Sequence, residues 1–91
     1  MTAIEWRPAA KESLLAIIDY ISDDNPAAAQ TLLDDIVRKV GSLPDNPLMH
    51  REGRVAGTRE LVVRDNYIVV YAPPGDSIVI VQVLHAAQQW P

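Results

Sequence analysis

Four arginines, Arg51, Arg54, Arg59 and Arg64, share residues 50–64 with Glu52 and Glu60, and His85 stands just before the closing run Ala86-Ala87-Gln88-Gln89-Trp90-Pro91. Cleavage of RNA through its 2′-hydroxyl needs a base, an acid and a cation to stabilise the phosphorane. Glu52 or Glu60, His85, and Arg51, Arg54 or Arg59 supply those residue types. Arg59 offers a planar donor set that suits a phosphate or a carboxylate. It equally suits a strand-end arginine that covers the sheet or pairs with Glu60 or an acidic helix residue. His85 supplies an imidazole, a group suited to proton transfer near neutral pH, yet a single histidine at a strand end also serves as a structural residue.

Other chemistries are excluded or left without support. The chain has no cysteine, which removes thiol nucleophiles, disulfides and thiolate metal sites. Asp19, Asp23, Asp24, Asp34 and Asp35 read as caps and solvated helix surface, without a convergent metal spacing. No glycine-rich phosphate loop and no nucleophile elbow occurs. No cofactor and no metal are implied. Tyr67 and Tyr71 share one strand face by alternation; with Trp6 and Trp90 they read first as core volume and edge packing, since phenylalanine is absent. Base stacking by Tyr67 and partner anchoring by Trp90 are the functional counterparts.

Length and charge narrow the partners. Ninety-one residues make one domain, 1–91, with 48% apolar residues to form its core. The net charge is −4, but residues 50–64 carry four arginines against two glutamates, the sole basic patch. An acidic chain is a poor general nucleic-acid binder, so any such contact must be local. Charges within the first dozen residues interrupt any signal-peptide core, and no stretch approaches a membrane span. A soluble, cytoplasmic protein is expected.

The elements that must position these residues follow from periodicity. Thr2 to Trp6 reads as a short strand. Pro8 opens a helix whose apolar stripe is Leu14, Leu15, Ile17, Ile18 and Ile21. Asn25 caps and Pro26 begins a second helix, striped by Ala29, Leu32, Leu33, Ile36, Val37 and Val40 and ended by Gly41 and Pro44. So short a connection makes an antiparallel hairpin. An irregular loop runs from Pro44 to Gly57. Three strands, Arg59–Arg64, Tyr67–Ala72 and Ser77–Leu84, then form an antiparallel meander around turns at Asp65-Asn66 and Pro73-Pro74-Gly75-Asp76. The expected fold is two-layer α+β, the hairpin packed on a small antiparallel sheet in the order β-α-α-β-β-β.

Four segments in that order carry a family resemblance: Asn25-Pro26-Ala27-Ala28-Ala29, Gly57-Thr58-Arg59-Glu60-Leu61, Asn66-Tyr67-Ile68-Val69-Val70-Tyr71, and His85 with Gln88-Gln89-Trp90-Pro91. Together they span nearly the whole chain, which resembles the RelE/ParE toxins of type II toxin–antitoxin systems, including those that stabilise plasmids. The resemblance implies a growth-inhibiting toxin held in a hetero-oligomer by a cognate antitoxin. It implies one of two targets: DNA gyrase, poisoned by binding in the ParE-like branch, or the ribosome, where RelE-like members cleave mRNA with residues such as Arg59 and His85. The chain's acidity favours the ParE-like branch. Arg51, Arg54, Arg59, Tyr67, His85, Ala87 and Trp90 are then the target-binding candidates. Relatives commonly carry arginine where this chain has Ala87, which implies an attenuated member that keeps antitoxin binding as a further alternative.

Overall fold

The computed structural model describes residues 3–73 and 77–90. The expected strand start at Thr2, the Pro74-Gly75-Asp76 part of the second turn and the terminal Pro91 lie outside them. Strand β1 (Ala3–Trp6) leads through Arg7 into helix α1 (Pro8–Asp24), and α2 (Pro26–Gly41) follows after one residue. Proline at the first position of each helix loses no intrahelical bond there. Asn25 ends α1 through its own N–H on Ile21 O (2.8 Å) and caps α2 by accepting from Ala28 N (3.0 Å). Asn25→Ala removes the cap and is expected to cost about 1 kcal/mol. A thermal midpoint equal to wild type would show that the cap carries nothing.

After α2 come β2 (Arg51–Glu52), β3 (Arg59–Val63), β4 (Tyr67–Ala72) and β5 (Ser77–His85), in a five-stranded sheet of order β1-β5-β4-β3-β2. The helical hairpin on a sheet is as the periodicity requires. Two features extend the meander. β1 adds to β5 in parallel, and Arg51–Glu52, inside the expected irregular loop, pairs antiparallel with Arg59–Glu60. The helical hairpin carries the chain from β1 at one edge of the sheet to β2 at the other, and the strands that follow step back across it until β5 lies beside β1, which no local pattern reports. The turn after β3 begins at Arg64, one residue earlier than the alternation suggested. Arg64 and Asp65 both take left-handed φ, 55° and 64°, a strained conformation for residues with side chains. The Arg64 guanidinium is clamped there on Asp35 of α2, at 2.6 and 2.8 Å.

Strand alternation gives the sheet two buried faces. On the helical side Leu61, Val63, Val69, Tyr71, Ile78, Ile80 and Val83 meet Ala10, Leu14, Leu32, Ile36 and Val40. Leu15 and Val37, expected in the helical stripes, are instead 58% and 55% exposed. They rim an apolar groove of about 490 Å³ between β1 and the hairpin, which also includes Ile4, Trp6, Lys11, Leu14, Val40 and Gly41. On the other side Ile68, Val70 and Leu84 are covered by Val81, Ala86 and Trp90.

The loop after α2 is tied to the sheet by three residues. Tyr71 Oη donates to Pro47 O (2.8 Å), Arg59 Nη1 donates to His50 O (2.7 Å), and the His50 ring meets Tyr71 edge-on at 6.1 Å. His50 Nε2 is buried without a partner among the described residues. Burial, aided by the positive charge of Lys39, holds the imidazole below its ordinary pKa. Such a group stays neutral when folded but takes up a proton when unfolded, so its contribution to stability falls as pH drops through the unfolded value. The melting temperature is expected to fall between about pH 7 and pH 5, less steeply in His50→Phe. Parallel curves for the two proteins would remove His50 from the account.

Candidate functional site

The alternation that places Leu61 and Val63 under the helices turns Glu60 to the opposite face, where its carboxylate is buried. Arg51, opposite Glu60 in the β2–β3 register, donates from Nε and Nη2 to Oε1 at 3.0 and 2.9 Å. Arg54 donates its backbone N–H to Oε2 at 3.1 Å and places Nε 3.5 Å away. A buried carboxylate needs such partners, because a charge taken out of water without them is costly. The loop that delivers Arg54 is tight: a Cβ at Gly53 would collide with Thr58, and Gly57 has φ 82°.

Arg54 also reaches the C-terminal tail, with Nη1 at 3.5 Å from Gln88 O. The tail turns back after β5 through Ala86 N–H on Asn66 O (2.8 Å) and Gln88 N–H on His85 O (2.9 Å). It lays Trp90 on Ile68, Val70 and Leu84. The structure therefore brings Arg51, Arg54, Glu60, Gln88 and Trp90 onto one face. Trp90 seals that sheet face, not the sheet edge expected of it, because the chain reverses at Ala86. Its Nε1 is buried without an acceptor among the described residues.

Arg59 and His85 lie elsewhere. Arg59 faces the helical side and pairs neither with Glu60 nor, among the described residues, with any acidic helix residue. Its partner on β4 is Tyr71, whereas His85 opposes Tyr67. Four residues along β4 and two strand spacings put Arg59 and His85 about 16 Å apart at the backbone. His85 is exposed, its ring edge-on to Tyr67 at 5.4 Å, and Nδ1 accepts from Ala87 N at 3.1 Å. That bond leaves the proton of the neutral ring on Nε2. Tyr67 is half-buried against the main core, and Ala87 is exposed.

Sequence reasoning weighed Glu60 as a base or as a partner of Arg59 and missed its clamp on Arg51 and Arg54. The available signal was a single glutamate leading directly into the apolar run Leu61-Val62-Val63 of β3. Ion pairing with α2 also went unread: Asp35, held below the usual carboxylate range first by Arg64 and further by Arg38, is a structural clamp.

A helical hairpin packed on a five-stranded sheet is the α+β toxin fold of a ParE structure that this chain matches. The chain superposes on a toxin chain of the "Chromosomal ParDE TA system from P. aeruginosa" with a TM-score of 0.83 at 26% identity, covering 93% of this chain and 96% of that one. The fold is also that of the conserved hypothetical protein HP0894 of Helicobacter pylori (TM-score 0.61, 12% identity, 97% and 98% covered). The model of the ParE toxin of type II toxin–antitoxin systems, parDE, matches residues 4–90. Toxin Y4kP of Sinorhizobium fredii is 40% identical over 97% of this chain and 92% of its own length, and toxin RelE2 of Caulobacter vibrioides 34% identical over 97% and 99%. The chain belongs to the ParE toxin family.

Proposed function

We propose that this single-domain toxin acts in the cytoplasm by binding and poisoning DNA gyrase, without chemistry of its own. The observation that carries this reading is the dispersal of the residues an endoribonuclease would need. Arg59 and His85 stand about 16 Å apart, and Glu60 has its carboxylate occupied by Arg51 and Arg54. A protein-binding surface needs no such convergence. Arg51, Arg54, Arg59, Tyr67, His85, Ala87 and Trp90 remain the target-binding candidates, with Arg51, Arg54 and Trp90 on one face.

The family implies an antitoxin partner. We place its neutralising segment in the groove rimmed by Leu15 and Val37 and along the free edge of β1, where an apolar helix face and an added strand each find a surface. A ribosome-dependent ribonuclease is the second reading, favoured by the exposed His85 ring beside Tyr67.

Supercoiling and cleavage assays with purified protein, beside primer extension on translated messages, separate the two. Gyrase inhibition with intact messages is expected. Codon-phased cuts with normal supercoiling would reverse the assignment. Ala87→Arg places a cation next to His85 on the exposed tail and is expected to lower colony formation on induction; unchanged counts would end the attenuation reading.

A further inference from the structure

Beyond the arginine face, a second surface wraps the His85 corner of the molecule. Ala16, Ile17, Tyr20 and Ile21 of α1 meet Tyr67 and His85 around an apolar cleft of about 430 Å³. Tyr20 stands at its rim, 79% exposed, the most exposed of the large apolar side chains among the described residues. An aromatic ring left in water beside a concave apolar floor is the composition of a binding hot spot. No lysine or arginine lines the cleft.

The surroundings fix the chemistry of an occupant. On the helical wheel Glu12, Asp19 and Asp23 fall within an arc of about 40° beside Ala16 and Tyr20, and Asp24 continues the cleft one turn beyond Tyr20. All four are exposed, and none is ion-paired among the described residues. Lys11, the one cation within α1, sits in the other groove. Negative charge along one wall repels phosphates and attracts lysine and arginine. Tyr20 and Tyr67 present ring faces that favour the same cations. The Nε2–H of the exposed His85 and the tyrosine hydroxyls can bond a peptide backbone.

We propose that this cleft docks a basic–apolar segment of the toxin's protein target: an aliphatic or aromatic side chain seated on Ile17 and Ile21, flanked by lysine or arginine facing the acidic stripe. The surface continues from the C-terminal tail at His85 onto α1, and it is separate from the groove assigned to the antitoxin. This rests on the reading of the protein as a target-binding toxin and names the chemistry of part of that target.

The test uses a fluorescein-labelled peptide, Lys-Leu-Phe-Lys-Lys-Phe-Leu, with the full chain, and a control in which each lysine is glutamate. Anisotropy titration is expected to show the lysine peptide binding at least about tenfold more tightly than the glutamate one, a difference of about 1.4 kcal/mol. Tyr20→Ala, whose side chain is too exposed to hold the fold, is expected to weaken it about tenfold. Replacing Asp19, Asp23 and Asp24 together by asparagine should flatten its salt dependence, and amide shifts should map to α1 and His85. Equal binding of the two peptides, full binding by Tyr20→Ala, or shifts confined to Leu15 and Val37 would each overturn the proposal. Failure of the two readings is distinguishable: gyrase poisoning undiminished in Tyr20→Ala removes the cleft and leaves the toxin reading standing. Cleft binding with gyrase untouched by wild type keeps the cleft and removes gyrase as target.

Discussion

Replacing Arg51 and Arg54 together by alanine is expected to destabilise the protein by about 3 kcal/mol, whereas Glu60→Met is expected to cost less than about 1 kcal/mol. The asymmetry follows from where each charge lies. The Glu60 side chain is 2% exposed, and the arginine side chains that hold it are 55% and 37% exposed. Removing both guanidinium groups leaves a buried carboxylate against Val70, its β4 neighbour in the register, with only the backbone N–H of residue 54 still donating to it. Removing the carboxylate leaves two guanidinium groups that turn into water. The double arginine variant should melt roughly 12–24 °C lower at neutral pH, a domain of this size shifting by about 4–8 °C per kcal/mol. The single arginine variants should each fall short of half that loss, because either cation alone still serves the carboxylate. Equal losses in Glu60→Met and the double variant would show that the network is held by packing alone. The consequence for function is direct: Arg51 and Arg54 are fixed in place by Glu60, so a toxin carrying Glu60→Met should remain folded while presenting its arginines loosely.

The second large effect is expected at Trp90. Its ring and Ala86 cover Ile68, Val70 and Leu84 on the face that the helices leave open. Trp90→Ala uncovers that apolar surface and is expected to cost about 2 kcal/mol, below the 3–5 kcal/mol of a fully buried tryptophan because this one is half-buried. Trp90→Phe keeps the ring contact and discards an Nε1 donor that has no acceptor among the described residues. It should therefore stay within about 1 kcal/mol of wild type. In cells the alanine variant should lose growth arrest while the phenylalanine variant keeps it, since the tail that carries Ala87 and Gln88 is held down by that ring. Chemical denaturation gives the first pair of values and colony counts the second. An alanine variant as stable and as toxic as wild type would detach the tail from both roles.

Much of the fold was legible in the sequence because it is written in local periods. The helix stripes, the proline-opened helix starts, the Asn25 cap and the two-residue alternation of β3 to β5 each depend on residues a few positions apart. Leu15 and Val37 mark the limit of that reading. They obey the helical period, yet the sheet is not wide enough beneath the hairpin to cover them, so they form the rims of a groove. Periodicity says which residues share a face of one element and nothing about how far the opposing layer extends.

The segment 50–64 shows the same limit for the site. Its four arginines were recognisable as a group, but they do three different things: Arg51 and Arg54 bind Glu60, Arg59 fastens the loop at His50, and Arg64 clamps α2 through Asp35. One residue of alternation decides that Arg59 and Glu60 face opposite sides of the sheet, and the β2–β3 pairing decides that Arg51 reaches the glutamate.

What the sequence by itself determined is the two helices, four of the five strands, their order and the family, because local spacing and the four matching segments need no knowledge of the third dimension. Tertiary structure alone decided that β1 runs parallel to β5, that Glu60 is enclosed by arginines, that Arg59 and His85 are kept apart, and that Trp90 closes the far face of the sheet. Each of those depends on which distant segments are brought together. Such contacts are selected by burial and charge neutralisation over the whole chain, and no run of neighbouring residues encodes them separately.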